Sequence, residues 1–180
     1  ELRLGDKIGA FGQRNSPELA RLLGLEREVI AADPEMAEIH ATLGTTLQAM
    51  WRKSEVEPAY RRAVELNPNY ATGHHWLGMH LAQEGRMDEA LAELKLASEL
   101  DPLSFIILDN YGWLLNLAGR QHEALRYLDR ALALNPGYDQ TMRVKASVLA
   151  ALGRTSEARA LAKQVSSRER VLDVFMLADV

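Results

Sequence analysis

The sequence predicts an all-α fold of stacked antiparallel helix pairs, and three observations carry that prediction. Pro34, Pro68, Pro102 and Pro136 stand 34 residues apart, each behind an Asp or Asn, and this is the period of a helix-turn-helix repeat. In the same register Leu43-Gly44, Leu77-Gly78 and Tyr111-Gly112 pair a large residue with one that has no side chain, and Leu47, Leu81 and Leu115 follow one turn later. Gly85, Gly119 and Gly153 also recur at that step, placed to take the left-handed conformation that stops the first helix of a pair.

Taken in order, residues 1–15 carry Gly5, Gly9 and Gly12 through what would otherwise be one helix. Each costs about 1 kcal/mol relative to Ala in a helix interior, so an irregular arm is expected there. Ser16-Pro17-Glu18 reads as a helix start, with a capping hydroxyl, a proline where no amide is needed and an acid near the positive end. That helix, in a partial repeat over 16–36, should end before Asp33-Pro34, because proline disfavours helical geometry in the residue before it.

Full units follow at 37–70, 71–104 and 105–138, then a degenerate one at 139–169. In their second halves Val56, Ala90 and Ala124 align, then Tyr60, Leu94 and Leu128, then Ala63, Ala97 and Ala131. This is the pattern of two helices crossing closely, with Gly or Ala where the backbones touch and larger groups beside them. Trp51 stands where the other units have glycine, so the first inter-helix turn is expected to differ. The Trp51 ring itself is assigned to packing against the arm. Pro58 falls early in a helix, which is tolerable near the first turn. Lys145 replaces a large apolar residue, and Arg170 stands in the proline slot, as terminal repeats allow. Residues 170–180, with Val171, Val174, Phe175 and Leu177, should form a helix that caps the open end.

Composition excludes several functions. The chain has 180 residues, 47% hydrophobic and 26% charged, with a formal charge of −4. Nucleic-acid binding is not expected, because it relies on clustered Lys and Arg, and no basic run goes beyond Arg61-Arg62. Zero cysteines remove disulfides, thiolate nucleophiles and thiolate zinc sites. No apolar run, Phe105 to Leu108 among them, approaches the roughly 18 residues that span a bilayer. The chain starts at Glu1 and reads as a piece of a larger protein, with a cytoplasmic setting expected.

These slots resemble the tetratricopeptide repeat, whose signature is W-x2-L-G-x2-Y, then A-x3-F, A and P. The aromatic slot is held by His40, His74 and Leu108; the other slots match from Ala37 to Pro136. Ser16 to Pro34 fits a second-helix half, and Asp139 to Val165 fits loosely. The resemblance implies a right-handed superhelical solenoid whose first helices line a concave surface. The stretch NPNYATGHHWLGMHL followed by LDPLS is also similar to tetratricopeptide regions attached to bacterial signalling and transcription regulators, such as winged-helix activators and nucleotide cyclases.

No catalytic constellation is evident, and neither a cofactor nor a metal is expected. His74, His75 and His80 lack the three- or four-residue separation that points two histidines at one metal. His40 and His74 read instead as half-buried packing residues at equivalent slots. No phosphate loop, GxSxG or HExxH occurs. The acids at Glu55, Glu57, Asp88, Glu89 and Glu123 suit the first turns of second helices.

The useful signal is surplus apolar and amide surface on first helices. One stripe runs through Thr72, His75, Trp76, Met79 and Gln83, and the next through Ile106, Asp109, Asn110, Trp113 and Asn116. Thr42, Thr45 and Gln48 on one flank and Arg143, Val144 and Ser147 on the other are smaller or more polar. Aromatic and Met anchors, central amides and a polar rim compose a peptide groove. In this reading Trp76, Met79, Asn110 and Trp113 are central, and His75, Asp109 and Arg143 set specificity. The alternative, that Trp76 and Trp113 turn inward as packing, stays open. A chaperone-tail carboxylate clamp is disfavoured, since the matching slots (Ala41, Thr45, Trp76, Ile106 and Asn110, or His75, Met79, Asn110, Gln140 and Val144) hold no cation. The expected function is a non-catalytic scaffold that binds a protein or peptide, with weak self-association through the arm or tail also open. The alternative is a sensor or regulatory domain within a signalling or transcription regulator, binding a small ligand or self-associating.

Overall fold

The computed structural model describes residues 16–165, so the arm at 1–15 and the closing helix expected at 170–180 lie outside the described residues. Among the described residues there are nine α-helices and no strand. They are α1 Pro17–Ala32, α2 Ala37–Ala49, α3 Lys53–Leu66, α4 Ala71–Gln83, α5 Met87–Leu100, α6 Phe105–Leu117, α7 Gln121–Leu134, α8 Asp139–Ala151 and α9 Thr155–Ala162. The described residues divide into two compact units, the boundary falling between His80 and Leu81.

In the first unit, α1 begins as its Ser-Pro-Glu start predicts. The Ser16 hydroxyl accepts from the Leu19 amide at 3.1 Å, and Pro17 occupies the first turn. α2 packs against α1 on one side and α3 on the other. Leu47, Val56, Tyr60 and Ala63 are fully buried there. Gly44 explains the tight crossing, because a Cβ added to it would sit 2.4 Å from the Tyr60 ring. What the glycine admits is thus the partner helix's side chain rather than its backbone.

In the second unit, α6 packs against α5, α7 and α8, and α8 against α7 and α9. Leu94, Leu108, Leu114, Leu115, Leu128 and Val148 show no exposed surface. Gly112 repeats the Gly44 arrangement, its absent Cβ leaving room for Leu128 at 2.8 Å. Lys145, in its apolar slot, reaches back to Asp129 of α7 at 2.6 Å, so a charged contact joins α8 to α7 there.

The joints between helices are satisfied by local chemistry. Asp33, Asn67 and Asp101 each end a helix, and each side chain accepts from the amide two residues on at 3.1–3.2 Å, forming Asx turns at the Asx-Pro pairs. Gly85, Gly119 and Gly153 take φ of 78°, 74° and 74°. Trp51 adopts the same turn with φ 59°, contrary to the expectation that this turn differs. The following amide bonds the Leu47 carbonyl at 2.9 Å, just as Arg86, Arg120 and Arg154 bond Leu81, Leu115 and Leu149. Hairpin packing on both sides therefore outweighs the roughly 1–2 kcal/mol that a side chain loses in the left-handed region. Pro58 lies beyond the first turn of α3, six residues into it, where both it and Ser54 are solvent-exposed. The Ser54 carbonyl, which loses its helical donor to the proline ring, can then turn to water.

Candidate functional site

The two first-helix stripes are placed as follows. On α4, Thr72 and Gln83 are exposed, Trp76 is 38% exposed and Met79 is half-buried. His75 lies beneath them, buried, with its ring 4.9 Å from that of Trp76. Burial disfavours the imidazolium and brings the His75 pKa down to about 4. Its neutral ring thus serves as a platform against which the Trp76 indole leans.

On α6, one side is core: Ile107, Leu108, Tyr111, Leu114 and Leu115 are all buried. The other side carries Ile106 at 36% exposure, half-buried Asn110, Trp113 and Asn116, and Leu117 at 55% exposure. Leu117 extends the stripe by one position and was not singled out from sequence. Its place four residues after Trp113, at the helical step, was the signal available.

Asp109 differs from expectation in being buried, and burial raises its pKa against the opposing effects of the Thr141 hydroxyl and Arg143. His75 and Asp109, both expected among the residues that set specificity, are thus buried side chains. Each directly precedes a more exposed residue of its helix, Trp76 and Asn110, and one residue is about 100° of helical turn, which carries it off the outward face. Arg143 on α8 is half-buried and donates to the Gln140 side chain at 2.7 Å. Val144 is buried, while Ser147 is exposed. On α2 the Thr42 and Thr45 hydroxyls donate to carbonyls of their own helix, at 3.0 and 2.7 Å.

A second regularity was missed from sequence. Arg86, Arg120 and Arg154 stand at the N-caps of second helices, and each forks onto the Glu three residues on with bonds of 2.5–2.8 Å. Arg52 reaches Glu55 in the same way. The Arg partner holds the Glu123 and Glu157 carboxyls below their usual range. These acids thus do more than face the helix dipole, because they clamp the turn to the helix it starts. Among the described residues no group of His, Asp and Glu is arranged to hold a metal. No described helix is long and apolar enough to cross a membrane.

Helix pairs of one length, joined by one turn and stacked at one step, define a class of repeat proteins that present helix faces to other chains. Two tetratricopeptide repeat profiles match the sequence, over residues 55–105 and 115–177, and the chain belongs to the tetratricopeptide repeat family. Domains of this family bind protein or peptide partners and are generally non-enzymatic scaffolds.

Three solved structures share the fold. The MamA crystal structure superposes with a TM-score of 0.71 at 17% identity, over 100% of this chain and 99% of MamA. YrrB, described as a TPR protein with an unusual peptide-binding site, gives 0.73 at 17% identity, over 95% of this chain and 87% of YrrB. PilF of Pseudomonas aeruginosa gives 0.75 at 21% identity, over 94% of this chain and 85% of PilF. No curated protein sequence matches.

Proposed function

We propose that this chain is an interaction scaffold that binds a peptide or protein segment on exposed faces of its first helices. The observation behind this is the second apolar stripe of α6. α6 packs against α5, α7 and α8, and Leu108, Tyr111, Leu114 and Leu115 are already buried there. Ile106, Trp113 and Leu117 keep exposed or half-buried apolar surface beyond those residues, and Asn110 and Asn116 beside them have side-chain amides suited to a partner's backbone. The α4 face repeats the composition with Trp76, Met79 and Gln83. A peptide-binding site in a structure of the same fold, YrrB, is in keeping with this reading.

Trp113 and Trp76 are the anchors, and Arg143 is the charged group at the rim. Trp113→Ala and Trp76→Ala should each leave helicity intact and weaken capture of a partner by at least ~2 kcal/mol if they are hot spots. The test is a peptide-library selection against the wild-type chain, followed by titration of the selected peptides against both folded variants. Selected peptides that bind the variants as tightly as wild type would remove the proposal.

A further inference from the structure

α1 stands in the repeat register as a second helix, and its Leu22 and Val29 fall in the slots of Val56 and Ala63 on α3 and of Ala124 and Ala131 on α7. Those four residues are buried, in helices that pack on the first helix of their own pair. Among the described residues α1 packs on α2, with Leu23 and Glu26 buried, while Leu22, Leu25 and Val29 stay 44%, 50% and 38% exposed. Spaced three and four apart, they form one open apolar stripe. The residues joined to α1 do not carry the pattern of a first helix that would cover it. Gly9 and Gln13 stand where α2 has Leu43 and Leu47, and Pro17 stands at the place of Trp51, whose φ of 59° a proline ring cannot take.

The stripe is complementary to a second copy of itself. Arg21 and Glu28, both exposed, border it on the same edge, and their separation exceeds the three or four residues at which charges pair along one helix. In an antiparallel pair of α1 helices related by a two-fold axis at Leu25, like edges lie side by side. Arg21 then comes within one residue, about 1.5 Å of rise, of the level of Glu28 in the second copy, and Leu22 comes equally close to the level of its Val29. Opposite charges therefore meet twice, once on each side of the axis, and the apolar stripes face each other between them.

We infer that α1 is a self-association surface, which joins two copies of this chain as an antiparallel helix pair through Leu22, Leu25 and Val29, with Arg21 of each copy bridged to Glu28 of the other. One helix face covers less than the roughly 800 Å² per partner of a stable complex, so the dimer is weak, with a Kd of about 0.1–1 mM. α1 contributes no residue to the peptide faces on α4 and α6, and either reading can fail without the other.

Sedimentation velocity of the full chain, from about 10 μM to about 1 mM, should show the average mass rising from monomer toward dimer. Leu25→Glu, at an exposed position, should keep the helical content and weaken association at least about tenfold, because it sets two carboxylates against each other at the axis. Arg21→Glu and Glu28→Arg each oppose like charges and should each weaken association at least about fivefold. The double variant, Arg21→Glu with Glu28→Arg, restores opposite signs and should return the Kd to within about twofold of wild type. The chain has no cysteine, so Leu25→Cys, on the axis, should form a disulfide-linked dimer under mild oxidation, whereas Leu96→Cys, exposed on α5, should not. A chain that stays monomeric at the top of that range, as expected if another segment or another protein covers α1, would overturn the inference. Undiminished association in Leu25→Glu, or a double charge variant no tighter than the single ones, would overturn it as well.

Discussion

His74 donates from Nε2 to the carbonyl of Pro68, six residues earlier, at 3.0 Å. One period back His40 holds Pro34 in the same way and at the same distance. The third unit has Leu108 in this slot, and there Arg130 of the following second helix reaches the Pro102 carbonyl at 3.4 Å. The aromatic slot of the repeat is thus used here to tie each first helix to the Asx-Pro turn before it. His40→Leu should lower stability by about 1 kcal/mol, the usual net worth of one such bond. Urea denaturation would show this as a lower midpoint with an unchanged slope. No change would mean that water serves the Pro34 carbonyl equally well.

The Trp51 turn makes an opposite prediction. Its φ of 59° suits glycine, and its ring is 55% exposed, so little packing is lost on removal. Trp51→Gly should therefore stabilise the fold by about 1 kcal/mol, the left-handed strain relieved less the extra chain entropy of glycine. A thermal midpoint below that of wild type would show instead that the ring's contact with Lys53, 5.6 Å from its centroid, matters more.

Two glycines inside helices should respond to alanine with opposite signs. At Gly44 the new methyl would meet the Tyr60 ring at 2.4 Å, in a site with no free volume, and a loss of roughly 1–3 kcal/mol is expected. At Gly24 in α1 nothing lies within 4 Å, so Gly24→Ala should gain up to about 1 kcal/mol from helix propensity. Calorimetry of the two variants side by side separates crowding from propensity.

Stability should fall with acid through His75. Its folded pKa, about 4, is below the unfolded value of 6.5, so the unfolded chain binds the proton first. The contribution is complete above pH 6.5 and is lost as pH falls toward 4, reaching about 3 kcal/mol in all. His75→Gln should flatten the dependence of the urea midpoint between pH 7 and pH 5. A slope equal to that of wild type would assign the acid sensitivity to other groups.

Glu26 works with the opposite sign. It is buried between α1 and α2, where Thr46 donates to one oxygen at 2.8 Å and, among the described residues, the other has no partner. Burial raises its pKa, so its charge opposes folding above the folded pKa and the opposition fades as pH falls through it. Glu26→Gln should stabilise the fold near neutrality by about 1 kcal/mol and lose that advantage in acid. Melting curves at pH 7 and pH 4 decide it.

The period and the helix ends were legible because their signals are local. Asx-Pro stops, Ser16 and the turn glycines each act within a few residues. Trp51 was misjudged because a local strain was weighed without the packing of α2 on α3, which overrides it. His75 and Asp109 were expected at the surface because a helical stripe is broad, and its edges turn away from solvent. The Arg-Glu forks were visible at a fixed period, yet each residue taken alone reads as ordinary surface charge.

The forks also bear on how such a chain changes in length. Each Arg-Glu clamp, turn and Asx cap is completed within about a dozen neighbouring residues, so a junction carries its own bonding partners wherever it is placed. An insertion or deletion of one whole period moves a finished seam intact, whereas a shift of a few residues separates the arginine from its glutamate and the histidine from its proline. Duplication by whole units is therefore the tolerated route of growth, and new surfaces can be added without redesigning the joints.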